Sequence, residues 1–292
     1  MHGFEYLAPA TLPEAVRAAA SRPGAVSLLA GGTDLIVGMR AGRRRPTLVV
    51  DVKKIPELTG IVCAGTEVVV GAAVPCRTVY EHPVIASRFT ALAEAARRVG
   101  GIQIQGRASL GGNLCNAAPS ADVVPSLMAY GAFGTMASPS GLRTLAVSDF
   151  CVGPGRTRLA DGEVLVNLTL PLPTMRSGAM FLRFTPRNEM DIAVVNVAAC
   201  VELDEALQSL KAIRVAIGAV APVPLLVDEV TASLTGRTAN DATLREAAAI
   251  CERVARPISD LRGTIEHRRQ LVKVLVRRAL EGAIQRARGA RA

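Results

Sequence analysis

The chain has 292 residues, half of them apolar, which is material for about two domains with buried cores. Its formal net charge is +9, yet aromatics make up 3% and tryptophan is absent, so stacking platforms for single-stranded nucleic acid are few. No apolar run reaches the roughly 20 residues needed to cross a bilayer. The first residues lack the basic-then-apolar pattern of a secretory signal, so the expected location is cytoplasmic. Positive charge gathers in Arg43-Arg44-Arg45, in Arg97-Arg98 and over residues 268–291. Solvated surface is its ordinary reading, an acidic partner subunit the next, and nucleic acid the last. The cysteines Cys63, Cys76, Cys115, Cys151, Cys200 and Cys251 and the histidines His2, His82 and His267 are scattered. None shows metal-knuckle or iron–sulfur spacing, so buried small hydrophobes are expected rather than ligands.

In chain order, Thr11-Leu12-Pro13-Glu14 reads as a capping box opening a helix to about Ala20. Residues 25–29 read as a buried strand, Gly31-Gly32 as a turn, 35–39 as a short helical piece and 47–51 as a second, parallel strand. Residues 67–74 read as a strand and 89–99 as a helix stopped by Gly100-Gly101. Two glycine-rich turns with short strands then lead to a half-buried strand over 163–170, and Pro171-Leu172-Pro173 marks a boundary. The last third reads as a separate unit. Strands over 191–203 and 210–220 form a hairpin around Asp204-Glu205, and two helices follow. One helix shows Leu244, Ala247, Ala248, Cys251 and Val254 on a single face, and the other Leu271, Val272, Leu275, Val276 and Ala279.

Two segments carry chemistry. The first is Leu28-Leu29-Ala30-Gly31-Gly32-Thr33-Asp34, with Leu35 opening the helix behind it. Paired glycines free the backbone to aim several N–H groups at one anion, and a helix start adds positive partial charge. Asp51 follows at the distance of a Rossmann ribose-binding acid. However, no Gly-x-Gly-x-x-Gly is present and the intervening helix is too short for a normal crossover. The second segment runs from Gly100-Gly101 through Ser109-Leu110-Gly111-Gly112-Asn113 to Asp122. It holds a second Gly-Gly turn flanked by short side chains that can bond oxygen atoms, with a carboxylate beyond for sugar hydroxyls. Two such loops can grip one diphosphate from both sides; the plain alternative is two unrelated turns.

In these segments the chain resembles the FAD-binding medium subunit of molybdenum hydroxylases, as in aerobic carbon monoxide dehydrogenase, and the flavin domain of xanthine dehydrogenase. Phe4-Glu5-Tyr6, Pro9, residues 218–224 and Pro257-Ile258-Ser259-Asp260-Leu261-Arg262-Gly263 extend the resemblance over nearly the whole chain. It implies an α+β fold: a two-subdomain FAD-binding domain of the vanillyl-alcohol-oxidase type (1–175, subdomains about 1–53 and 54–175). An antiparallel sheet with helices follows over 176–288. It also implies FAD bound non-covalently, with residues 28–35 and 109–113 around the diphosphate and Asp122 on a cofactor hydroxyl. Leu165 would line the adenine or flavin pocket, and Arg183 would stand where some relatives carry a lysine near the flavin. Gln105-Gly106 replaces a frequent Arg-Asn, and Arg183 departs from lysine in geometry.

The resemblance further implies that a large molybdopterin subunit and a small subunit with [2Fe–2S] clusters are partners, in a dimer of heterotrimers with no nucleic acid and no membrane span. Electrons would pass from those clusters to FAD here and on to an acceptor such as NAD, a quinone, a cytochrome or oxygen. No catalytic acid or base and no metal is expected in this chain. The rival readings are a flavin-free assembly subunit that keeps the fold, and a free-standing flavin oxidase.

Overall fold

Three parallel strands organise the N-terminal segment of the computed structural model, which describes residues 2–188 and 190–289. They are β1 (Glu5–Leu7), β2 (Val26–Leu29) and β3 (Leu48–Asp51), in the order β1-β3-β2. Helices α1 (Leu12–Ala20) and α2 (Leu35–Arg40) make the connections. The Thr11 hydroxyl accepts from the Glu14 N–H as expected, but the Glu14 carboxylate accepts from Ala10 rather than from Thr11. Strand β2 is half-buried, not buried, because it is a sheet edge and Val26, Ser27 and Leu28 line a cleft. Strand β1 has no alternation to betray it; all three residues are exposed, and only its pairing with β3 defines it.

The next region builds an antiparallel sheet in the order β4-β5-β10-β6-β7. After α3 (Pro56–Thr59) come β4 (Ile61–Ala64) and β5 (Glu67–Gly71). Strand β5 stops short of the expected residue 74 because Gly71 presses on the Leu58 carbonyl, where a Cβ would sit 2.4 Å from the oxygen. Short helices α4 (Cys76–Glu81), α5 (Pro83–Arg88) and α6 (Thr90–Ala96) follow. The glycine-rich turns are instead the short helices α7 (Ile102–Gln105), α8 (Leu110–Cys115) and α9 (Val123–Ala129), while the short strands expected before residue 163 do follow them. Ser109 caps α8 by accepting from the Gly112 N–H at 3.1 Å, so Gly111-Gly112 is the first turn of a helix. The sheet closes with β6 (Phe133–Ser138), β7 (Gly141–Ala146) and, past α10 (Val147–Phe150), β8 (Cys151–Gly153) and β9 (Arg156–Thr157), the central strand β10 (Val164–Pro171).

The last region is an antiparallel sheet of β11 (Ser177–Phe184), β12 (Val195–Leu203), β13 (Leu210–Gly218) and β14 (Leu225–Leu226). It is followed by α11 (Asp228–Leu234), α12 (Asp241–Val254) and α13 (Ile265–Ala287). The expected hairpin is β12–β13, but its turn spans residues 204–209, closed by the Asp204 N–H on the Ser209 carbonyl, and β11 is an added strand. Alternation gives the sheet two apolar faces. Val195, Val197, Val201, Ile213, Val215 and Ile217 pack with α11 and α13, and α12 packs on α13. Ala179, Phe181, Ala198 and Ala216 point the other way, into the core built by α6, α9 and β10. Glu94 on α6 clasps this junction, accepting from the Phe181 N–H at 2.9 Å and pairing with Arg286 on α13.

Candidate functional site

A cleft of about 470 Å³ separates the three-stranded unit from the five-stranded sheet, within the range of small-molecule sites. Leu28, Ala30, Gly31, Gly32, Thr33, Asp34 and Leu35 line it from one side, and Ser109, Gly111, Gly112, Asn113 and Leu165 from the other. Leu29 turns away to pack with Leu35, Met39 and Val49, and Leu110 is fully buried in the central core. The two glycine segments meet backbone to backbone. A Cβ on Gly31 would lie 2.0 Å from the Arg107 carbonyl oxygen, and one on Gly111 would lie 2.5 Å from that of Ala72. These glycines set how closely the walls approach.

The two segments offer different chemistry. Gly32 takes the left-handed conformation (φ +80°) that glycine adopts without strain. The N–H groups of Gly32, Thr33 and Asp34 donate to no acceptor among the described residues, leaving a row of donors beside the cleft. In the second segment three amides are spent, Gly111 on the Ala72 carbonyl, Gly112 on the Ser109 hydroxyl and Asn113 on the Ser109 carbonyl, whereas those of Ser109 and Leu110 donate to no acceptor among the described residues. A side chain adds to them. Asn113 accepts from the Val123 N–H through its oxygen at 3.3 Å, which leaves its carboxamide N–H₂ to donate.

Asp122 and Arg183 stand outside the cleft lining and pair with each other at 3.0 Å, with only 12% and 6% of their side chains exposed. Strand alternation puts Arg183 on the same sheet face as Phe181 and Asn196, turned toward α9. Arg183 also donates to the Arg98 carbonyl at 2.9 Å. Burial pushes the Asp122 carboxyl up, against the pull of Arg183, to about 6. Its Oδ1 is buried without a hydrogen-bond partner among the described residues, an orphan acceptor that calls for a donor. Asp122 directly precedes Val123, so the Asn113 contact ties it to the cleft wall. Gln105 is structural: it accepts from the Tyr80 hydroxyl at 3.1 Å and donates to the Arg97 carbonyl at 2.8 Å, while Gly106 faces open space. Cys76, Cys151 and Cys251 are buried, Cys115 and Cys200 are partly so, and Cys63 is exposed. Burial raises the cleft-lining Cys115 thiol to about 12.

Several lining residues carry no site signal in the sequence, among them Arg44, Asn116 and Glu163. Arg44 stands within a basic run whose ordinary reading is solvated surface. Asn116 lies in the second segment without an assigned role, and Glu163 reads as the start of a strand, whereas its carboxylate is held by Arg143. The one signal for Arg44 is Gly38, a residue without a side chain, across which the Arg44 stem lies.

Comparison with known proteins points to a flavin dinucleotide as the cofactor. Residues 2–173 match a family model described as the FAD binding domain in molybdopterin dehydrogenase, and residues 181–283 match the CO dehydrogenase flavoprotein C-terminal domain. The chain is 30% identical over 286 residues to the xanthine dehydrogenase FAD-binding subunit of Escherichia coli O157:H7, covering 97% of each. It is 29% identical over 280 residues to the carbon monoxide dehydrogenase medium chain of Hydrogenophaga pseudoflava, covering 96% of each. A solved structure of carbon monoxide dehydrogenase from that organism superposes with a TM-score of 0.93 at 29% identity, over 98% of both chains.

Proposed function

Because this chain belongs to the family of FAD-binding subunits of molybdopterin dehydrogenases, we infer that it passes electrons between the [2Fe–2S] clusters of a partner subunit and an external acceptor. The observation that carries the cofactor part is the meeting of two distant glycine segments on one cleft with the Gly32, Thr33 and Asp34 amides still unspent. An anion is the natural occupant of such a row, and the diphosphate of FAD is that anion. Gly31, Gly32, Thr33, Asp34 and Leu35 hold it from one wall, joined by the Ser109 hydroxyl and the Asn113 carboxamide from the other. Leu28, Ala30, Gly111, Gly112 and Leu165 shape the walls, and Leu29 and Leu110 position them from within the core. The orphan Oδ1 of Asp122 accepts a cofactor hydroxyl, and Arg183 keeps that carboxylate charged and fixed. The bound flavin supplies acceptance and release of electrons; the protein's share is binding, orientation and exclusion of water.

The FAD-binding domain is taken as residues 1–175 and the C-terminal domain as 176–288. The partners are a large molybdopterin subunit and a small iron–sulfur subunit, assembled in the cytoplasm as a dimer of heterotrimers. Absorbance and acid extraction of the purified chain test the cofactor: yellow protein releasing one FAD per chain is expected, and a colourless, folded preparation that ignores added FAD overturns it. Stopped-flow bleaching of the flavin in the reconstituted complex tests the electron path, which requires the iron–sulfur subunit. Undiminished bleaching in its absence would overturn that path.

A further inference from the structure

The cleft has a charge problem that backbone amides do not solve. Its lining holds three carboxylates, Asp34, Asp161 and Glu163, of which Glu163 is neutralised by Arg143. Arg44 is the single Lys or Arg among the described lining residues. It belongs to the loop between α2 and β3, and its amide and that of Arg43 both donate to the Gly38 carbonyl, folding the loop back along the helix. The stem then crosses Gly38, where a Cβ would lie 3.3 Å from Arg44 Cγ. The guanidinium reaches over to Asn116 at the end of α8, with Nη2 3.4 Å from Oδ1. This long contact to a neutral amide is its one side-chain hydrogen bond among the described residues, and no described carboxylate pairs with it. An arginine held across a cleft with most of its donors unused is matched to an oxyanion that brings two negative charges, since its planar fork engages phosphate oxygens two at a time.

We propose that Arg44 is a diphosphate clamp, the residue that neutralises the dinucleotide's bridge and ties the three-stranded unit to α8 across it. This rests on the cofactor reading above and assigns the charge within it to one residue of an otherwise solvated basic run. Arg44→Met keeps a stem on Gly38 and removes the charge; Arg44→Lys keeps the charge without the fork. The deflavinated chain is titrated with FAD at several salt concentrations, followed by flavin fluorescence, and the FAD-free proteins are melted in parallel. Expected for Arg44→Met is a rise in the FAD dissociation constant of roughly 10- to 100-fold. A flatter salt dependence and an unchanged FAD-free melting temperature go with it, and Arg44→Lys recovers part of the affinity. Wild-type affinity in Arg44→Met, or a loss that leaves the salt dependence as steep as before, overturns the clamp while leaving the cofactor reading standing. Wild-type protein that takes up no FAD at any salt concentration overturns both.

Discussion

Asp122 concentrates the electrostatics of the molecule in one side chain. Burial raises its carboxyl from the ordinary 3.8 to about 6, so the native state binds its proton more tightly than the unfolded chain. The sign follows from linkage. The stabilisation by that proton is fully present below about pH 4 and is lost as pH rises through about 6. The urea midpoint of wild type relative to Asp122→Asn should therefore fall between pH 4 and 6 and stay level above; a difference that is constant over this range would refute the buried-carboxylate account. Asp122 as a candidate was legible in the sequence, standing just past the second glycine segment. Its partnership with Arg183 was not, because the two lie 61 residues apart and meet only when β11 turns its inner face to α9.

At the level of elements, the second glycine pair shows how one dipeptide serves two architectures. Read along the chain, Gly111-Gly112 is a turn; in the fold, Ser109 caps it into the helix α8. The two glycines then differ in task. Gly111 lies against the Ala72 backbone, whereas a Cβ on Gly112 meets only the Ser109 hydroxyl, at 3.0 Å. Gly112→Ala should thus fold with a near-wild-type melting temperature but bind FAD more weakly, since the added methyl stands at the cleft wall. Gly31→Ala, by contrast, must push back the Arg107 carbonyl and should lower the melting temperature as well, by several degrees for a loss of about 2 kcal/mol. Equal melting temperatures for the two variants would show that the Gly31 contact does not set the approach of the walls. The short elements escaped sequence reasoning for a common reason. The exposed β1 and the four-residue α7 lack a full hydrophobic period, so tertiary partners define them.

For the whole molecule, the consequential feature is that the C-terminal sheet belongs to two cores. Val197 and Val215 pack on α13, and Ala198 and Phe181, one strand position away, pack on the FAD-binding region. The sheet cannot come apart from either layer without exposing an apolar face. Calorimetry should accordingly show one unfolding transition with equal calorimetric and van't Hoff enthalpies. Two resolved transitions would mean that the shared sheet does not couple the layers. Gly178 is pressed into α13, where a Cβ would strike the Ala283 carbonyl at 2.0 Å, and tightens the hold of the sheet on that helix.

The residue order alone determined the β-α-β entry, the central strand β10, the β12–β13 hairpin, the two apolar helix faces and both glycine segments, because each is a local pattern of period, turn or loop. It determined the family as well, since the motifs that carry it are contiguous. Tertiary structure alone decided which amides stay open, that Arg183 neutralises Asp122, and that Arg44, among three adjacent arginines, lies over the cleft. Those outcomes depend on distances between residues far apart in the chain, which close packing sets and no local periodicity encodes.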